Sequence, residues 1–317
     1  MKRILTLVAP IVALTAVALA AGDYIVVDLS AGPSAANYPV LTLSAAPDGV
    51  WPDEYRTTKM AFRRIPAGTF TMGSPEKEIG RWDDEPQHRV TLTQPFYIGV
   101  FEVTQKQWEQ VMGTWPSYFS NKSHRDSRPV EKVSYDAIRG PRDGANWPVD
   151  GNVDADSFMG RLRSRTGKAF DLPTESQWEY AGRAGTTTAL NSGHSLTNTS
   201  SDAHMSVVGR YWHNGGSDNE RNGDTSGGST KVGSYLPNAW GLYDIHGNVW
   251  EWCLDWYGNY PGTASDPTGA PSGSLRVLRG GSWSYHANRC RVASRFFYNH
   301  RGATGGIGFR VVLSSSQ

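Results

Sequence analysis

From Thr58 onward the chain alternates short apolar and polar runs with breaks rich in glycine and proline, a pattern of many small elements. Met60-Ala61-Phe62 leads into residues 65–74, where Gly68 and Gly73 predict a hairpin broken by glycine turns. Residues 88–102 alternate as one half-buried strand would. Residues 103–112 predict a helix capped by Thr104, with Trp108, Val111 and Met112 on one face. A further helix is expected within residues 154–166, its buried stripe formed by Phe158, Leu162 and Met159. Residues 172–181 predict another, with Thr174 as cap, Glu175 in the first turn, and Trp178 and Ala181 packed inward. Residues 276–283 read as a strand running into a glycine bend, and residues 291–295 and 306–312 close the domain.

Residues 241–253 concentrate three aromatics, two carboxylates and a cysteine. Trp250 and Trp252 alternate with Glu251, so a short strand would bury both indoles on one face and aim the carboxylate elsewhere. Asp244, Gly247, Val249 and Glu251 are spaced so that two carboxylates and intervening main-chain carbonyls could surround a hard cation such as calcium. The same residues equally describe a tryptophan-rich core strand preceded by a tight turn.

Composition narrows the setting. Residues 1–20 carry Lys2 and Arg3, an apolar run and Ala18-Leu19-Ala20, which predicts a cleaved secretory signal and export to the periplasm or beyond. No later stretch is long enough to span a bilayer. Residues 21–57 read as an extension of short strands and turns, and residues 58–314 as the main domain. The near-neutral charge, +1 for the whole chain, argues against nucleic acid as a partner. Thirty-five glycines and twelve tryptophans favour turns around an aromatic core over a helical bundle. Two cysteines in an exported chain, Cys253 and Cys290, suggest a disulfide, with two buried free thiols as the alternative.

The run Gly-Leu-Tyr-Asp-x-His-Gly-Asn-Val-Trp-Glu-Trp, residues 241–252, resembles the core signature of the formylglycine-generating enzyme, or sulfatase-modifying factor, family. Residues 65–74, 96–112, 128–137 and 172–181, and the bracket from Gly-Gly-Ser-Trp to Gly-Phe-Arg, resemble further motifs of that family in order. Residues 140–152 look like an insertion between two of them. The resemblance implies an α+β, C-type-lectin-like fold with a small antiparallel sheet, peripheral helices and many loops. It also implies a structural calcium on Asp244, Gly247, Val249 and Glu251. A second calcium would draw on Asp224, but Arg210 stands where the family pattern has an asparagine.

The family's oxidase chemistry uses copper held by two cysteines five residues apart, just after Gly-Gly-Ser. Here Tyr285 stands five residues before Cys290, so Cys290 is the one catalytic candidate and copper is not expected. No nucleophile elbow is visible, and nothing resembles the histidine-bearing extra domain of iron-dependent sulfoxide synthases. The competing expectation is a binding protein. Trp283, Ser284, Tyr285, His286 and Asn288, followed by Phe296, Phe297, Tyr298, Asn299 and His300, would form an adaptable recognition surface. This segment also resembles the ligand-facing end of lectin-fold variable proteins. The expected partner is a protein segment or a glycan, a sulfatase being one candidate.

Overall fold

The computed structural model describes residues 23–47, 51–120, 124–140, 153–215 and 227–314. The expected signal sequence, Asp224 and nearly all of the 140–152 insertion lie outside these residues.

The fold is α+β and is organised around two sheets. A six-stranded antiparallel sheet runs in the order Val40–Leu43, Tyr24–Asp28, Lys59–Ile65, Phe96–Gly99, Val312–Ser314, Phe170–Asp171. The residues before position 58 therefore extend this sheet by two strands at one edge. The last strand of the chain lies inside it, between Phe96–Gly99 and Phe170–Asp171. A four-stranded sheet follows the order Arg295–Asn299, Leu275–Arg279, Trp250–Trp256, Ile307–Gly308, its last pair parallel.

Two strand expectations need correction. Residues 65–74 do not fold back on themselves. Lys59–Ile65 pairs with Phe96–Gly99, whereas Gly68–Met72 pairs with His88–Leu92 in a separate three-stranded sheet. Residues 88–102 are likewise two strands, not one. The breaks fall at Pro66 and Pro95, which lack the N–H a continuous ladder requires, so the paired ribbon bends from one sheet into the other.

The helices follow local chemistry closely. Gln105–Met112 starts in a capping box, with Thr104 accepting from Gln107 N and the Gln107 side chain accepting from Thr104 N. Glu175–Arg183 repeats the device with Thr174 and Gln177. Each such cap is worth about 1 kcal/mol. Phe158–Thr166 begins later than the pattern predicts because Ser157, accepting from Gly160 N, supplies the cap. Its Phe158, Met159 and Leu162 are fully buried, as expected.

Every residue of Trp250–Trp256 is buried. Trp250, Trp252 and Leu254 enter one core with Trp108, Phe158 and Phe309. Cys253 enters the other, with Trp178, Ile245 and Val277. The two-residue period thus divides the strand between two apolar clusters, and each fully buried large side chain contributes roughly 1.5–3 kcal/mol. Among the described residues no helix is long and apolar enough to cross a membrane.

Candidate functional site

A cleft of about 390 Å³ opens where Trp250, Phe296, Tyr298 and Ile307 reach out from the four-stranded sheet. Trp283, Ser284 and Tyr285 form a second wall, and Tyr118 with Thr304-Gly305-Gly306 completes the lining. The aromatic walls are mutually braced. Trp250 stacks on Phe296 at 5.2 Å and meets the Tyr285 ring edge-on at 5.5 Å. The Trp283 indole donates to the Gly305 carbonyl at 3.0 Å and meets Phe119 edge-on at 5.4 Å. Tyr118 is 52% exposed at the mouth. Its backbone is held from below: Glu131 accepts from Tyr118 N at 3.0 Å and Phe119 N at 2.9 Å. Burial pushes the Glu131 carboxyl up to about 7.

The structure therefore gathers Trp283, Ser284, Tyr285, Phe296 and Tyr298 into one cleft and leaves the other expected ligand residues outside its lining. Strand alternation sends Phe297 to the opposite face, where it packs on Tyr257 at 4.5 Å. Asn299 accepts from Arg301 N, and His300 pairs with Asp136 at 2.7 Å. His286 is exposed beside Trp212, and Asn288 lies against Gly80. Sequence reasoning missed Tyr118 and Thr304 to Ile307 as cleft residues; Trp250 is buried in the core, as expected, and backs the cleft from there.

The carboxylates of residues 241–253 meet a third that the sequence did not suggest. Glu251 is fully buried and paired with Arg310, which donates from Nε and Nη2 at 2.6 Å each; Trp178 Nε1 adds a third bond at 2.7 Å. Glu102 accepts from Val249 N at 3.1 Å and from the Asn248 side chain at 2.5 Å. Asp244 Oδ2 accepts from Gly233 N at 2.7 Å, while its buried Oδ1 has no partner. Burial, with the charges of Asp244 and Glu251, pushes the Glu102 carboxyl well up, and burial pushes Asp244 up to about 6.

Against a calcium ion this donor set fits in part. Asp244 offers a buried oxygen that nothing satisfies, but both Glu251 oxygens already serve a guanidinium and an indole. Among the described residues no group of three acidic, histidine or cysteine side chains is arranged around a metal position. Gly247, at φ +88°, cannot carry a side chain, since a Cβ would lie 1.9 Å from the Arg210 carbonyl oxygen. The Arg210 guanidinium donates to the main-chain carbonyls of Gly228 and Asn214, so these oxygens already face a fixed cation.

The disulfide expectation is overturned: Cys253 and Cys290 are both free and buried. Cys253 faces the helix Glu175–Arg183 from the central strand, while Cys290 packs with Ala189, Leu190 and Tyr211 in another cluster. Gly281 makes room for Cys290, since a Cβ there would come within 2.4 Å of its sulfur. His246, kept neutral by burial with its pKa lowered to about 4, is hydrogen-bonded through Nδ1 to the Cys290 carbonyl at 2.7 Å. Burial pushes the Cys290 thiol up to about 12 and Cys253 well above the ordinary thiol range. Alkylation in denaturant followed by intact-mass measurement, without reductant, is expected to add two labels, and alkylation of the native protein none. A chain that takes no label in denaturant would restore the disulfide.

The glycine-rich α+β architecture, the Trp-Glu-Trp strand between two cores, and the aromatic cleft beside the Gly-Gly-Ser loop define a protein related to the C-type-lectin-like fold. The chain belongs to the sulfatase-modifying factor family, whose description "Sulfatase-modifying factor enzyme 1-like domain" matches residues 49–315. It is similar to the formylglycine-generating enzyme of Bos taurus, 26% identical over 276 residues, covering 78% of this chain and 72% of that protein. It is 32% identical over 266 residues to the chaperone protein LppX of Paenibacillus barcinonensis, covering 71% and 82% respectively. Among solved structures, Treponema denticola variable protein 1 superposes with a TM-score of 0.61 at 28% identity, covering 81% of this chain and 96% of the other.

Proposed function

We propose that this protein is an exported binding or accessory member of its family, taking a protein segment or a glycan into the aromatic cleft without oxidising it. The observation that carries this reading is the chemistry of the loop after Gly280-Gly281-Ser282. Where a copper-dependent oxidase of the family needs two thiolates, this loop offers the phenol of Tyr285 in the cleft and one fully buried thiol, Cys290, outside the cleft lining. Copper(I) chemistry rests on soft thiolate ligands, and a phenol is a hard donor that stays protonated at neutral pH. Burial holds the Cys290 thiol protonated as well. A relative bearing the name of a chaperone supports a role exercised by contact. A structural calcium beside Asp244, held by that carboxylate with the main-chain carbonyls of Gly247 and Val249, belongs to the same proposal.

The test is direct. Purified protein supplied with copper(I), oxygen, a reductant and a peptide bearing the sulfatase Cys-x-Pro-x-Arg motif is expected to yield no formylglycine by mass spectrometry. Steady turnover, abolished by Cys290→Ser, would establish the oxidase reading instead.

A further inference from the structure

Resting on the binding reading above, we infer that Arg289 is an anion anchor beside the cleft, so that the ligand is a peptide segment carrying a carboxylate next to an apolar residue. Most buried arginines near this region are matched. Arg279 and Arg295 pair with Glu175, Arg291 with Glu78 and Glu85, and Arg310 with Glu251. Arg289 is different. Its guanidinium lies over the Trp82 ring at 3.7 Å and faces Phe296, a cleft wall, at 5.6 Å. The Trp82 ring face orients it while its N–H edges are unused by any acceptor among the described residues.

The neighbouring charges do not close the gap. Asp84 and Glu85 attract Arg289 and Arg291 repels it. Glu85, however, is held by Arg291 and Ser74, and Asp84 accepts from the Tyr257 hydroxyl. A stacked, half-buried guanidinium with free edges is preorganised for the two parallel bonds of a carboxylate. The cleft itself supplies the apolar part. Its walls are the rings of Trp250, Tyr285, Phe296 and Tyr298. The lining holds no carboxylate, carboxamide or guanidinium side chain to sort sugar hydroxyls, which favours peptide over glycan. The sulfatase motif, which places an arginine near its cysteine, would bring like charge to Arg289.

The experiment titrates the full chain, by tryptophan fluorescence, with acetylated hexapeptides that each carry one aromatic residue and one glutamate. Each is compared with its glutamine twin, and each is made as a free acid and as a C-terminal amide. Glutamate peptides are expected to bind roughly tenfold tighter than their glutamine twins, the gap closing in Arg289→Gln and narrowing in Trp82→Ala. A gap present with amidated termini identifies a side-chain carboxylate; a gap between acid and amide forms of the glutamine twins identifies a terminal one. Equal binding of all forms, a preference that survives Arg289→Gln, or binding by none of the acidic peptides would overturn the anchor. If Tyr285→Ala abolishes equal binding of all forms, the cleft reading stands and only the anchor falls. Formylglycine formation would sink the cleft reading itself.

Discussion

Replacing Arg310 by methionine is expected to lower the unfolding free energy by roughly 3–5 kcal/mol, because it removes one partner of a fully buried ion pair and leaves the other charge behind. Arg310 closes three regions of the chain at once. Besides Glu251, it donates to the Gly99 carbonyl at 3.1 Å and the Tyr243 carbonyl at 3.0 Å. Without it, Glu251 keeps only the Trp178 indole as a donor and shares its surroundings with Glu102 and Asp244, two further buried carboxyls. Urea unfolding of the wild type and the variant measures the loss. The double variant Arg310→Met with Glu251→Gln should be more stable than Arg310→Met alone, since the stranded charge is gone while the Trp178 acceptor remains. A loss below about 1 kcal/mol for Arg310→Met would show that the pair does not hold the fold together.

How much of this was legible in the sequence depended on the range of the forces involved. Thr104 and Thr174 announce their helices because a cap is settled within four residues. Trp250 and Trp252 share a face because strand alternation is equally local. Pro66 and Pro95 were visible, yet the shift from one sheet to another could not be read from them, since it depends on which distant strand pairs with which. The same limit hid Glu102 and Arg310, which come to Asp244 and Glu251 from opposite ends of the domain. It also separated Cys253 from Cys290. Each cysteine sits in an apolar setting, but pairing requires approach of their Cβ atoms, which neither composition nor spacing reports. In the recognition loop the residue types were right and the faces partly wrong. Phe296 and Tyr298 line the cleft, whereas Phe297, one position away, packs on Tyr257.

The calcium proposal gives the other large effect. Removing divalent ions with a chelator is expected to lower the melting temperature, and added calcium to restore it. Glu102, Asp244 and Glu251 are buried together, with Arg310 and, toward Asp244, Arg56 as cations, and Asp244 Oδ1 lacks any partner. A buried carboxylate oxygen without a donor is costly, and a calcium ion is a natural partner for an oxygen-rich site of this kind. Glu251 is engaged by Arg310, so the ion would rest on Asp244 and main-chain oxygens, a set poorer than two carboxylates. Binding at a hundredfold excess over the dissociation constant stabilises the native state by about 2.7 kcal/mol. Asp244→Asn is expected to weaken the calcium response, because the carboxamide keeps an oxygen for the ion but removes the charge of its carboxylate. Arg310→Met should keep it and even strengthen it, because Glu251 is then released to bind the ion. Differential scanning calorimetry in chelator and in calcium, with metal analysis of the purified protein, checks each arm. An identical melt in both conditions, with no calcium retained, would mean that protons on Glu102 and Asp244 balance the cluster and that the chain has no structural ion there.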